Sequence, residues 1–328
     1  MKQRAFGNSG VNVSEIGLGC WQLGGADWGN MSEEDALATL QAAVESGVNF
    51  FDTADVYGLG RSESIIGKFL KDCPEELFVA TKLGRFPEPG WPDNFTPDTF
   101  RAHTTASLRR LGVEALDLTQ LHCIPTDVLK RGEVFEWLRT LQQEGKIKRF
   151  GASVETMDEA QFCLQQDGIT SLQIIFNIFR QKPITTIFDQ AKEKGIALIV
   201  RLPLASGLLT CKFNKTTYFP ENDHRNYNRD GESFNVGETF AGLMFEKGVE
   251  LADSLNPMVP SRLIMTQMAL RWCLDYDAIS VVIPGAKNPQ QASANAAVSE
   301  LPPLSDQEHE RLKVFYETEV VTHIRGPY

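Results

Sequence analysis

Apolar residues in this chain gather in short unbroken runs. Between the runs they recur every three or four positions. Eight runs stand out: Ile16 to Cys20, Val48 to Phe51, Leu77 to Thr81, Leu116 to Leu121, Ile147 to Gly151, Leu172 to Phe176, Ile196 to Val200 and Ile279 to Ile283. Unbroken apolar runs suit parallel strands covered on both faces, whereas half-exposed strands alternate.

The spacing between the runs predicts helices. Ser32 before Glu33, Glu34 and Asp35 is an N-cap with acids in the first turn, and Ala36 to Ser46 follows as a helix stopped by Gly47. Glu63 to Lys71 is the next. Thr96-Pro97 opens a helix to about Leu111, with proline at its first position. Val128 to Glu144 reads as one helix ending at Gly145. Thr156 with Glu159 is a capping box that opens a helix to about Gln166. Pro183 to Lys194 reads as a helix ending at Gly195.

After the seventh run comes a polar and aromatic connection, residues 212–236. An irregular segment of that length is usually functional. Helices are predicted over about 238–255 and 261–274, divided by Pro257 and Pro260. Asn288-Pro289 caps a last helix to about Ser299. The tail beyond Pro302 and Pro303 is expected to return over the surface. At the other end, two short segments flank Gly7-Asn8-Ser9-Gly10, a hairpin signal, and should close one end of the fold.

Eight strands alternating with helices predict a (β/α)₈ TIM barrel, with an N-terminal β-hairpin and a long loop plus an extra helix between strands seven and eight. A doubly wound open sheet is the alternative, but no G-x-G-x-x-G follows the first strand. No linker divides the chain, so residues 1–328 read as one domain.

Composition narrows the class. With 328 residues and 42% hydrophobic content, the core needs no disulfide or metal staple. A formal net charge of −11 argues against nucleic acid or an anionic membrane as partner. Six scattered cysteines without a C-x-x-C read as free thiols in a reducing compartment. The start has no signal-peptide character and no stretch is long enough to cross a membrane, so a cytoplasmic soluble protein is expected. Oligomeric state is left open, a monomer being compatible.

Chemistry enters at the strand ends. In a barrel the carboxyl ends of all strands meet at one face. Asp52 ends the second strand, Lys82 the third and His122 the fourth, while Tyr57 lies on the loop after the second. Neighbouring strands lie about 4.8 Å apart, so these side chains can meet. A lysine cation beside a phenol lowers its pKa, and Asp52 would keep a buried lysine charged. The set fits proton transfer to a carbonyl oxygen, with Tyr57 as acid and His122 positioning that oxygen. Proton transfer alone reduces nothing, so a hydride donor is required.

The motifs I-G-L-G-C-W-Q-L-G-G (16–25), F-D-T-A-D-V-Y-G-L-G-R-S-E (51–63), V-A-T-K-L-G (79–84), L-H (121–122), G-A-S (151–153), Q-I-I-F-N (173–177), P-L-A-S-G-L-L-T (203–210) and V-I-P-G-A (282–286) follow one another along nearly the whole chain. Together they closely resemble the aldo-keto reductase family. The resemblance implies NAD(P)(H)-dependent reduction of a small carbonyl substrate on a (β/α)₈ barrel. It implies Asp52, Tyr57, Lys82 and His122 as the catalytic tetrad. Ser153 and Gln173 would hold the nicotinamide carboxamide, with Cys20 and Trp21 also at the cofactor. Arg201, Leu202, Leu204, Ser206, Leu208 and Lys212 would wrap it from the seventh strand. Gly285, Lys287, Gln291 and Asn295 would do so from the eighth. The resemblance further implies NADP(H) rather than NAD(H), and no metal. Lys287 with the next helix N-terminus suits a 2′-phosphate, and Lys212 and Arg225 would close over the cofactor.

Four departures from the family pattern stand out. Gly285 and Ala286 stand where many relatives have lysine or serine, Gln291 where they have arginine, and Glu155 where they have asparagine. Arg201 replaces an aromatic that stacks on the nicotinamide. Placed there, its charge would disfavour the oxidised ring; turned away, it would pair with an acid such as Glu155. Trp21, Trp28 and Trp91 line the substrate pocket or pack the barrel mouth. Two other functions compete with carbonyl reduction: a Schiff-base lyase using Lys82, and a non-catalytic module that senses redox state by binding NADP(H).

Overall fold

The computed structural model describes residues 1–328, the side chain of Ala26 excepted. The chain opens with the hairpin β1 (Gln3–Ala5) and β2 (Asn12–Ser14), paired antiparallel. Eight parallel strands follow: β3 (Leu18–Gly19), β4 (Phe50–Asp52), β5 (Phe78–Leu83), β6 (Leu118–His122), β7 (Phe150–Ser153), β8 (Ile169–Ile175), β9 (Ala197–Arg201) and β10 (Ile279–Val282). They pair in sequence order from β3 to β10. Parallel bridges Ile16–Val282 and Gly19–Gly285 join the first strand to the last and close a barrel. The expected (β/α)₈ architecture is the observed one.

Helices α1 (Glu33–Glu45), α2 (Arg61–Asp72) and α3 (Pro97–Leu111) follow β3, β4 and β5. The capping signals act as read. Ser32 accepts from the Asp35 amide, Thr96 from the Thr99 amide and Thr156 from the Glu159 amide. Inward faces follow the helical period. In α2 the buried apolar positions are Ile65, Ile66 and Phe69, and each such side chain contributes about 1.5–3 kcal/mol relative to exposure.

Several boundaries differ from the sequence reading. The helix expected over Val128 to Glu144 is two, α4 (Thr126–Arg131) and α5 (Glu133–Gln143). Gly132, at φ +82°, turns left-handed between them and ends the first. The helix from Pro183 breaks at Ile187 into α7 (Pro183–Thr186) and α8 (Phe188–Lys194), beyond α6 (Met157–Cys163). Within the long connection, Asp223 caps a single turn, α9 (His224–Tyr227). The expected helices 238–255 and 261–274 start later, as α10 (Phe245–Leu255) and α11 (Met265–Leu274), because 3₁₀ turns and extended residues precede them. After α12 (Pro289–Ala296) the tail is not simple coil. It holds α13 (Asp306–Phe315), opened by a capping box of Ser305 and Glu308 that was there to be read.

The hairpin plugs the barrel floor. Phe6 and Val13 are fully buried among Phe50, Phe78, Leu118, Ile199 and Val281. The Phe6 ring lies 5.0 Å from Phe78 and 5.8 Å from Phe50. A second, larger apolar cluster fills the space between strands and helices.

Candidate active site

The opposite, carboxyl-terminal face of the barrel collects the polar strand ends. Asp52, His122 and Ser153 each end their strand, whereas Lys82 is one residue short of the end of β5. Lys82 Nζ donates to Asp52 Oδ1 at 2.5 Å, to the Thr53 carbonyl at 2.8 Å and to Tyr57 Oη at 3.3 Å. The Tyr57 ring stands edge-on to His122, 5.6 Å between centroids. All four predicted catalytic side chains therefore meet.

Their electrostatics are set by burial. Lys82 is 1% exposed. Burial alone would drive its proton off, but the charge of Asp52, then Tyr57, reverses this and raises its pKa. From the sequence, Lys82 is expected to lower the Tyr57 pKa. Here burial outweighs that effect and the phenol is pushed up to about 12, so it stays protonated. His122 is held neutral, chiefly by burial and then by the Arg85 and Lys82 charges.

Asp52 is also held from its other oxygen. Gln173 Nε2 donates to Oδ2 at 2.7 Å and Gln120 Nε2 at 3.1 Å. The carboxamide role expected for Gln173 thus leaves its amide nitrogen engaged with Asp52.

A cavity of about 510 Å³ opens beside these groups. It is bordered by Asp52, Tyr57, His122, Ser153 and Gln173, and by Cys20 and Trp21. From the end of β9 come Arg201, Leu202, Leu204, Ser206 and Lys212. From the loop and helix after β10 come Gly285, Lys287, Gln291 and Asn295. Of the residues expected at the cofactor, Leu208 alone is outside this lining. Its side chain is fully buried and packs where a Cβ on Gly248 would lie 2.6 Å away. Lys82 is outside it too, behind the Tyr57 ring at 4.9 Å from Nζ to centroid. Backbone strain concentrates here: Leu202, Ala205 and Ser206 have φ of +54°, +48° and +55°, a cost usually kept only at working sites.

A roof joins three loops above the cavity. Trp21 stacks on Tyr57 at 5.7 Å. Gly24 and Gly58 make this possible, since a Cβ on Gly58 would lie 2.2 Å from the Gly24 carbonyl oxygen. Trp21 Nε1 donates to Asp27, which also accepts from Tyr227 Oη at 2.7 Å. Trp28 packs on His224 at 4.3 Å and its carbonyl accepts from Lys287 Nζ at 2.7 Å. Arg225 lies over the Trp28 ring at 4.8 Å and is paired with Asp223. Trp21 and Trp28 border the cavity, but Trp91 is half-exposed and donates to the Gly84 carbonyl, away from it.

Arg201 is neither bare nor paired with Glu155. Its Nη1 lies 3.2 Å from Glu238, which sits in a 3₁₀ turn at the end of the long connection where a helix was expected, and its Nη2 donates to the Val154 carbonyl. Arg85 bridges the two acids, 2.8 Å from Glu238 and 3.1 Å from Glu155. Burial, with Glu238 next, pushes Glu155 up to about 8. Burial would raise Glu238 too, but Arg85 and Arg201 outweigh it and keep Glu238 ionised. Cys123, Glu155 and Glu238 bring possible metal ligands within 4.8 Å of one another. Arg85 already bridges these acids and Arg201 pairs with Glu238, and burial keeps the Cys123 thiol protonated.

Sequence reasoning missed Glu238 and Gln120. Nothing local marks Glu238, because folding of a long loop brings it in. Gln120 was legible: two residues before His122, it shares that side chain's face of the strand.

A closed parallel barrel with a buried lysine–tyrosine pair and a histidine beside a cavity at its carboxyl face defines a class of oxidoreductases. The chain belongs to the aldo/keto reductase family, whose model matches residues 15–317. It is 27% identical over 311 residues to aldo-keto reductase YhdN of Bacillus subtilis, covering 91% of this chain and 89% of that one. It is also 27% identical over 314 residues to a protein of Escherichia coli K12 named NADH-specific methylglyoxal reductase, covering 90% and 93%. The solved structure of a glycerol dehydrogenase from Gluconobacter oxydans superposes with a TM-score of 0.79 at 27% identity, covering 99% and 98%. The protein is thus an oxidoreductase of a family that acts on carbonyl and alcohol groups with nicotinamide cofactors. Among the described residues no helix is long and apolar enough to cross a membrane.

Proposed function

We propose that this chain reduces small polar aldehydes or ketones to alcohols, with NADPH as the hydride donor. The reading rests on one observation above all: a phenol kept protonated, 3.3 Å from a buried ammonium, at the edge of a cavity.

The donor set suits a dinucleotide. Ser153 and Gln173 offer a hydroxyl and a free carbonyl oxygen at one end of the cavity. The N-terminus of α12, Lys287, Gln291 and Asn295 offer donors at the other. Lys287 uses one of its three donors on the Trp28 carbonyl, leaving two for a 2′-phosphate. Bound there, the nicotinamide supplies the hydride.

The chain's own groups handle the proton. Tyr57 gives its proton to the carbonyl oxygen as charge develops there. Lys82 stabilises the phenolate left behind, and Asp52 keeps Lys82 charged. Neutral His122 orients the carbonyl oxygen. Trp21, stacked on Tyr57, keeps water from that side.

A polar substrate fits because Arg201 and Glu238 border the cavity with Tyr57 and His122. The names of the relatives point the same way, to methylglyoxal and glycerol. One relative is named for NADH, so both cofactors are compared. The test is oxidation of NADPH and NADH, followed by absorbance, against a panel of aldehydes, ketones and sugars. Fastest turnover is expected with NADPH and short hydroxylated carbonyls. Tight NADPH binding with no turnover over the panel would replace this reading with a cofactor-sensing module.

A further inference from the structure

We propose that Gln120 is a positioning residue for proton transfer: it holds Asp52, and through Asp52 the Lys82 ammonium, in place behind Tyr57, and it orients Gln173 toward the cavity. The inference rests on the carbonyl-reductase reading above.

Gln120 is fully buried on β6, and its Cα is the register partner of Lys82 on β5. It does not border the cavity. A carboxylate only accepts hydrogen bonds, so every group on Asp52 must turn a donor to it. That settles both amides. Gln120 and Gln173 each present Nε2 to Asp52 Oδ2, and Gln120 Oε1 accepts from Gln173 Nε2 at 3.3 Å. The only side-chain polar atom of Gln173 left uncommitted is its carbonyl oxygen, which can accept from a carboxamide.

Asp52 thus has a divided carboxylate. Oδ1 serves Lys82 and Oδ2 serves the amides. Without Gln120, Oδ2 keeps only the Gln173 amide, and the nearest further donor is the ammonium already on Oδ1. Lys82 would then be shared between both oxygens and drawn away from Tyr57. Asp52 and Tyr57 face Lys82 directly, while Cys20, Asp55 and His122 also lie in its field.

The experiment compares Gln120→Leu and Gln120→Glu with wild type, using the full chain, NADPH and a carbonyl that the wild type reduces. Gln120→Leu should lower kcat about tenfold or more, the size of a lost charged hydrogen bond, while KM for the carbonyl stays near wild type. The alkaline limb of kcat should move to higher pH, because Lys82 drawn onto both oxygens of Asp52 holds its proton more firmly and lowers the Tyr57 pKa less. NADPH affinity, read from its fluorescence on titration, should weaken as Gln173 loses its partner. Gln120→Glu should be impaired at neutral pH and recover towards wild type as pH falls, when a protonated carboxyl can donate as the amide did. A kcat loss with an unmoved limb and unchanged NADPH affinity would make Gln120 merely structural and overturn the proposal. Wild-type kinetics in Gln120→Leu would do the same. If Gln120→Leu does not fold, the acid recovery of Gln120→Glu decides. If the wild type reduces no carbonyl, the underlying reading fails instead, and the NADPH titration still reports on Gln173.

Discussion

The two ends of one barrel are built from the same strands and do opposite work. At the floor, Phe50, Phe78, Leu118 and Ile199 turn inward and meet Phe6 of the hairpin. Further along the same strands, at the strand period of two, Asp52, Lys82, Gln120 and Arg201 occupy the mouth. The floor is apolar and needs only shape. The mouth buries charge, which is tolerated only because each charge has a partner: Lys82 with Asp52, Arg85 with Glu155 and Glu238, Arg201 with Glu238. Stability should therefore depend on the floor and turnover on the mouth.

The sharpest separation comes from Tyr57→Phe. It deletes the proton donor and keeps the ring that stacks on Trp21. Turnover should fall by about 10²–10⁴-fold, the usual contribution of a general acid, with unfolding and NADPH binding near wild type. Turnover close to wild type would remove Tyr57 from the acid role.

Phe6→Ala is the mirror experiment. Loss of a fully buried ring typically costs about 3–5 kcal/mol, so the denaturant midpoint should drop clearly. The folded fraction should keep its kcat. A kcat loss larger than the unfolded fraction explains would break the division between floor and mouth.

Lys287→Ala probes the far end of the cavity. A lost charged hydrogen bond is worth roughly 1.5–3 kcal/mol, or about 10- to 150-fold. NADPH should weaken by that much and NADH much less, both read as dissociation constants. Equal weakening would mean that Lys287 does not meet the 2′-phosphate.

The last test concerns Asp55, fully buried beside the site with neither carboxylate oxygen hydrogen-bonded. Burial, then Glu63, pushes it up to about 8, against about 3.9 in an unfolded chain. A pKa raised on folding contributes stability at low pH, which is lost as pH rises towards 8. Asp55→Asn cannot lose that proton. Its Tm should gain on wild type progressively between about pH 4 and pH 8. A difference that stays flat with pH would show that Asp55 is already ionised.

The expectation for Arg201 changes most between sequence and structure. An unpaired guanidinium beside the cofactor would repel an oxidised ring strongly. With Glu238 at 3.2 Å its charge is largely balanced, so a smaller bias towards NADPH over NADP⁺ is expected.

What the sequence determined by itself is the barrel and its strand-end chemistry. Strands covered on both faces must be apolar throughout, so a polar residue at the end of such a run is conspicuous. Asp52, Lys82 and His122 were legible for that reason, and Tyr57 because a five-residue step ties it to Asp52. Boundaries shifted where a local conformation intervened, as at Gly132, and α13 was missed although Ser305 and Glu308 announced it. The tertiary structure alone decided the rest. Glu238 reaches Arg85 and Arg201 across separations of 153 and 37 residues in the chain. The roof depends on Asp27 meeting Tyr227, 200 residues away. Even the protonation of Tyr57 was decided there. Lysine proximity, which the motif supplies, lowers a phenol's pKa, but the depth of burial, which only packing sets, raised it further.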